Sequence, residues 1–328
     1  MARGRGGGGA AGRLSGGAAA GGDFYIGRVK LRIHWGASIQ MNLYSLLFQR
    51  TMSSNSDKVF DELLKVANSV DPPKRERKVT HEIFIKEMLC FLKEVRGWRS
   101  IKEKKDRNNN EISYQTFYYR FCKWRKNKVF ETTWKRLVEL YAKQQLEKDP
   151  SWFKELYLDS TMVKNVRGHK KDDIGKNYKE KGHKGTKLSM MCDKNKVPLS
   201  CVSYASNIHD IHTVEDTLES IVCPLKTHGN LIHIVGADKG YQNANLNEQI
   251  EEKMKFRIVH YPKKNCKNKK KTQNRYERRA LKHRTRIENM FCRLDQFRRI
   301  HLRQESGMNS YKAFNFLALA IMVSKHLR

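Results

Sequence analysis

Past residue 152 the chain carries three short β-prone runs in succession, at 156–158, 187–192 and 199–204, with the turn sequence Asp193-Lys194-Asn195-Lys196 between the last two. Short, largely apolar runs of this length, bounded by turn formers, read as strands. A helix is then predicted from about 213 to 222, a strand at 231–235, a helix at 244–253 and a strand at 257–261, followed by closing helices near 284–299 and 310–326. Three strands and then helix, strand, helix, strand, helix predict an α+β domain built on one mixed sheet flanked by helices.

That order is the order of a ribonuclease-H-like fold, expected here over residues 149–328. The segment before it, 56–148, reads as a small helical module. Ile85, Met88, Leu89, Leu92 and Val95 recur on one helical face behind a potential N-cap at Thr80. Behind Ser113, a second N-cap, Phe117, Phe121 and Trp124 repeat at helical spacing among Arg120, Lys123, Arg125, Lys126 and Lys128. A third helix from about 131 to 145 turns Trp134, Leu137, Val138 and Tyr141 inward. Three short helices with basic outer faces fit a helix-turn-helix DNA reader as well as they fit an ordinary helical support. Residues 1–22 are almost wholly Gly, Ala, Arg and Ser, and 1–55 are expected to be a disordered tail and linker. A transit peptide fits the first 22 residues, and so does a plain tail ahead of a start at Met41 or Met52.

The formal charge of +32 and pI near 9.9 point to nucleic acid as partner, with an anionic membrane surface the lesser reading. Seven scattered cysteines without a CxxC pair argue for reduced thiols inside a cell and against zinc fingers or a disulfide framework. The longest apolar stretch, 313–323, falls short of the roughly 20 residues a membrane span needs and reads as a core helix.

Against that positive background three acids stand in ordered contexts: Leu158-Asp159-Ser160-Thr161, Ala237-Asp238-Lys239-Gly240-Tyr241 and Arg286-Ile287-Glu288-Asn289-Met290-Phe291. A single Asp ending a strand is more often a turn or helix cap than a ligand. With Gly182-His183-Lys184-Gly185-Thr186-Lys187, Pro198-Leu199, Asn207-Ile208-His209-Asp210, Gly97-Trp98-Arg99 and Tyr119-Arg120-Phe121-Cys122-Lys123-Trp124, however, these stretches resemble a cut-and-paste transposase of the DDE superfamily. The group they look most like is the bacterial insertion-sequence-five type, over about residues 75–325. The resemblance places the family's metal-binding catalytic acids on Asp159, Asp238 and Glu288. It implies Mg²⁺ or Mn²⁺, as two ions, since hard divalent cations take carboxylate oxygens and a metal pair serves in-line phosphoryl displacement. Two positions depart from related groups: Leu281 stands where they place a tyrosine, and Asp295 where they place a lysine. Glu277 and Asp295 compete with Glu288 for the third acid. Glu288 lies about 100° from Ile287 on its helix, at the border of the apolar stripe Ile287, Met290, Phe291, Leu294 and Phe297.

The function this resemblance implies is that of a DNA transposase, which cleaves phosphodiester bonds at transposon ends and transfers the 3′-hydroxyls into target DNA. It is expected to act as a homodimer on double-stranded DNA, in a bacterial cytoplasm or a nucleus, with no membrane partner. The rivals are a domesticated or inactive relative that binds DNA without cutting and, more distantly, a basic RNA-binding protein. Backbone contacts are expected from Lys239, Lys269, Lys270, Lys271, Arg284 and Arg286, and base contacts from Gln115 and Arg120. Lys239 fits a solvated side chain equally well, and His209 with Asp210 fits either the site or a helix cap. Between Lys263 and Arg286 there are 12 Lys and Arg in 24 residues and one acid, Glu277. Such a run fits a DNA grip, a nuclear-localisation patch or a solvated loop.

If the run grips phosphate, log K for DNA falls with log salt at a slope near −0.9 per neutralised phosphate, and neutralising Lys269, Lys270 and Lys271 together flattens it. Titrations of a duplex at several salt concentrations measure the slope; an unchanged value assigns the run to solvent or localisation.

Overall fold

Continuous apolar runs, covered on both faces, account for the long central strands of this protein. A computed structural model describes residues 22–26, 29–33, 55–73, 79–101, 111–167, 174–177, 182–222, 231–261 and 274–327. Two compact units result, residues 1–53 and 54–328. In the first, β1 (Gly22–Ile26) pairs antiparallel with β2 (Val29–Ile33). The expected disorder of 1–55 is thereby corrected at this hairpin, where Phe24, Tyr25 and Ile26 on one strand and Val29, Leu31 and Ile33 on the other supply β-formers on either side of Gly27-Arg28.

The second unit opens with four helices, α1 (Asn55–Val70), α2 (His81–Lys93), α3 (Tyr114–Lys126) and α4 (Val129–Lys148). The side chain of Thr80 accepts from Ile83 N at 3.3 Å and that of Ser113 from Gln115 N at 3.3 Å, so both expected N-caps form. Val95 is a correction: α2 ends at Lys93, Glu94 is extended, and Val95 lies beyond the helix, 43% exposed.

The sheet follows: β3 (Glu155–Asn165), β4 (Gly175–Asn177), β5 (His183–Asp193), β6 (Pro198–Ala205), then α5 (Val214–Glu219), β7 (His233–Gly236), α6 (Ala244–Met254) and β8 (Phe256–Val259). After it come α7 (Arg275–Lys282), α8 (Thr285–Leu294), α9 (Arg298–His301), the short β9 (Leu302–Arg303) and α10 (Met308–Ser324). The five principal strands lie in the order β6-β5-β3-β7-β8. β3 with β5 and β5 with β6 are antiparallel; β3 with β7 and β7 with β8 are parallel. β4 extends the β5 edge and β9 pairs with the far end of β3. Counted along the chain, these five strands lie in the spatial order third, second, first, fourth, fifth. This is the expected mixed α+β sheet of a ribonuclease-H-like domain.

The helical region and the last helix share one core. Phe121 of α3 stacks on Phe314 of α10 with ring centroids 4.9 Å apart, Trp98 lies 5.0 Å from Phe121, and Trp134 stacks on Phe316 at 5.3 Å. Arg299, buried at 2% exposure, pairs with buried Glu305 at 2.5 Å and donates to Arg96 O at 2.9 Å. Its guanidinium also lies over the rings of Phe91 and Phe314.

Asp193 ties the same helices to the sheet. Its carboxylate, fully buried, accepts from Tyr141 Oη (2.6 Å), Trp152 Nε1 (2.8 Å), Asn195 N (2.9 Å) and Val197 N (2.8 Å). Asp193→Ala strands four donors, three of them in the interior, and is expected to cost about 3 kcal/mol or more. Urea unfolding monitored by tryptophan fluorescence measures this, and a loss below about 1 kcal/mol would refute the role of the carboxylate as the shared acceptor.

Candidate active site

β3 places Glu155, Tyr157 and Asp159 on one face, since residues two apart point the same way. Over that face lie α7 and α8, and each of the three side chains meets an arginine. Arg279 Nε lies 2.9 Å from Glu155 Oε2, Arg286 Nη1 donates to Tyr157 Oη at 3.1 Å, and Arg284 Nη1 lies 3.5 Å from Asp159 Oδ2. The helices come this close because Gly236 of β7 has no side chain: a Cβ there would meet Ala280 O of α7 at 2.8 Å.

Parallel pairing of β3 with β7 ends at Tyr157 opposite Gly236; two residues further on, Asp238 has left β7, while Asp159 continues within β3, paired with Met190 of β5. Adjacent strands lie roughly 4.8 Å apart, so the two carboxylates are neighbours. Asp238 and Lys239 are exposed at the start of a short 3-10 turn that buried Tyr241 anchors. Glu288 projects from the solvent side of α8, where Arg284 Nη2 lies 3.1 Å from its Oε1. One guanidinium thus holds Asp159 and Glu288 together. Burial pushes the Asp159 carboxyl up to about 6; the Ser160 amide and Arg284 oppose this, while Asp238 and Asp210 add to it.

Asp210, left open by the sequence between site and cap, belongs to this cluster. Ser160 Oγ donates to its Oδ1 at 2.7 Å and buried Lys187 Nζ at 2.6 Å. Burial drives the Asp210 carboxyl up, but the bonds from Lys187 and Ser160 outweigh it and hold the group below the usual carboxylate range. The His209 ring instead accepts from Ile211 N, capping the turn Asp210–Thr213. The pairing of Lys187 with Asp210, one on a strand and the other in a loop, left no sequence signal; only the sheet register brings them together.

The two competitors for the third acid fall elsewhere. Glu277 completes a capping box with Asn274 and pairs with Arg257, and Asp295 faces His301 at 3.3 Å. Leu281, at the position of the related groups' tyrosine, is buried. Among the described residues no three acidic, His or Cys side chains converge closely enough to hold a metal ion. Arg120 is corrected as a base reader: it is 8% exposed, donates to Thr80 O at 2.9 Å and lies over the Phe84 ring. Gln115 is exposed at the start of α3. Lys269, Lys270 and Lys271 lie outside the described residues. No helix among the described residues is long and apolar enough to cross a membrane.

A mixed sheet in this strand order, with Asp159 inside its central strand and Asp238 just past the end of the neighbouring parallel strand, is that of a ribonuclease-H-like domain. More particularly, residues 154–323 match the family described as Transposase DDE domain, and the chain belongs to that family. Comparison with curated proteins gives no match. Among solved structures, one of a piggyBac transposase synaptic complex with hairpin DNA is similar at 12% identity and a TM-score of 0.42, covering 86% of this chain and 74% of that chain.

Because the folded-state pKa of Asp159 lies above the unfolded value near 3.9, its contribution to stability is present at acid pH and lost as pH rises from about 4 to about 6. Asp159→Asn is therefore expected to raise metal-free stability at pH 7 by about 1 kcal/mol and to flatten that pH dependence. Melting in chelator from pH 4 to pH 7 tests this; a variant less stable than the parent at pH 7 would mean that the Arg284 contact outweighs burial.

Proposed function

We propose that the protein is a DNA transposase whose Asp159, Asp238 and Glu288 carry metal-dependent cleavage at transposon ends and transfer of the resulting 3′-hydroxyl to target DNA. The observation that supports this reading is that Arg284 touches both Asp159 of β3 and Glu288 of α8, with Asp238 following the strand that pairs with β3. The donor set suits Mg²⁺ or Mn²⁺: hard carboxylate oxygens, one of them desolvated, and a cationic Arg284 already lying between two of them as a positive charge there would. Asp159, Asp238 and Glu288 would hold the metal, with Arg284 moving off the carboxylates. Bound there, divalent metal supplies Lewis-acid stabilisation for phosphoryl displacement.

The chain's own residues do the rest. The Arg279 and Arg286 contacts fix α7 and α8 on β3, which sets where Glu288 can reach. The Asp210 and Lys187 pair holds Ser160 and with it the backbone that aims Asp159. Arg284, once released from the acids, is a guanidinium at the scissile phosphate, and exposed Lys239 stands next to Asp238 to take a neighbouring backbone phosphate. No protein nucleophile is required, so Ser160 and Tyr241 act through position alone. Double-stranded DNA is the substrate, and a homodimer on paired ends is the assembly.

Cleavage of linear duplexes carrying candidate terminal repeats tests this. Each of Asp159→Asn, Asp238→Asn and Glu288→Gln should reduce Mg²⁺-dependent cleavage by about 10³-fold or more while DNA binding persists. A single variant retaining more than about a tenth of the parental rate would remove that residue from the site.

A further inference from the structure

Sharing no residue with the carboxylate cluster, a groove of about 790 Å³ opens where the α3–α4 turn meets the start of α10. Arg125, Lys126 and Lys128 line it from the turn and Lys312 from α10. Its one acid, Glu131, is already paired with Lys135 at 2.6 Å, and its fifth cation, Lys123, with Asp71 at 2.7 Å. Among the described residues Lys126, Lys128 and Lys312 make no ion pair, and Arg125 donates to the neutral Ser310 hydroxyl. Four uncompensated positive charges therefore share one concavity, whose low-dielectric walls strengthen their joint field. The N-terminal ends of α4 and α10, neither capped by a side chain, open onto it and add to that field. Tyr119, 74% exposed, offers a flat ring and a hydroxyl at the rim.

Lys128 adds an independent observation. It sits at φ 54°, ψ 25°, a left-handed conformation that glycine adopts freely and a side-chain-bearing residue adopts at a cost. The turn would form with less strain with glycine there, so what the lysine brings is its charge at the groove.

We propose that this groove is a second contact for duplex DNA, gripping backbone phosphates apart from the carboxylate site and built jointly by the helical region and the last helix. The proposal rests on the transposase reading. It assigns the helical region a phosphate-positioning role through α3, α4 and α10 together.

The test is fluorescence anisotropy of the full chain with a duplex of roughly 30 base pairs and mixed sequence, across several salt concentrations, with duplex RNA of equal length alongside. The variant K126Q/K128Q/K312Q is compared with K86Q/K143Q/K253Q, which removes the same charge from exposed lysines elsewhere. The groove variant should bind DNA at least about ten-fold more weakly at physiological salt, with its salt slope reduced by about 2 to 3, while the control stays near the parent. Lys128→Gly alone should weaken DNA binding while its melting temperature is unchanged or higher, which loss of a merely structural residue would not produce. If the parent protein fails to bind duplex DNA, the transposase reading and the groove fall together. If the parent binds and the two triple variants behave alike, the groove alone is overturned. Loss of RNA binding with DNA binding intact overturns it as well.

Discussion

Three arginines, on two short helices and the turn between them, hold the candidate-site end of this protein together. Arg279, Arg286 and Arg284 meet Glu155, Tyr157 and Asp159 at successive same-face positions of β3. The spacing matters because α7 has few apolar residues to bury, whereas α8 buries Ile287, Met290, Phe291 and Leu294. Ala280 and Leu281 are the buried residues of α7, and Glu288 rides on the open side of α8. Charge and hydrogen bonds therefore help to set the height of α7 above the sheet, and Gly236 gives the clearance. Partly buried, these contacts act in a lower effective dielectric than the solvated charges of the same sequence, and so count for more than surface pairs. Much of the formal +32 is thus not a uniform coat. Part of it is structural, aimed inward at a handful of acids.

A mixed sheet, the order of its elements along the chain and the two N-caps were legible in the sequence, since each rests on local pattern: short apolar runs between turns for strands, helical spacing behind Thr80 and Ser113 for helices. The family resemblance was legible for the same reason, as the motif stretches fall within β3, just past β7 and on α8. The features that escaped the sequence needed register. The Asp210 bond to Ser160 depends on a loop and a strand 50 residues apart, and α7 was hidden in a charge run whose amphipathicity rests on two side chains. Arg120 was misread because a basic residue in a basic helix looks solvated until Phe84 and the Thr80 carbonyl are found around it. The hairpin at 22–33 was overlooked because glycine and alanine dominate the residues ahead of it.

The helical region also changed character between sequence and structure. Taken by itself, 56–148 is three or four amphipathic helices that would close on themselves. In the fold their apolar faces close on α10, with Phe121 against Phe314 and Trp134 against Phe316, and with Arg299 bonded back to Arg96. A groove that draws cations from both the turn and α10 is one product of that arrangement.

The first four helices of this unit complete their core only when α10 packs against them. A chain that stops before residue 308 keeps Asp159, Asp238 and Glu288 yet lacks the surface that buries Phe121 and Trp134. Frameshifts and early stops that spare every acidic residue thus yield a protein without a completed core, and loss of activity in decayed copies of such a gene need leave no mark on the acids themselves.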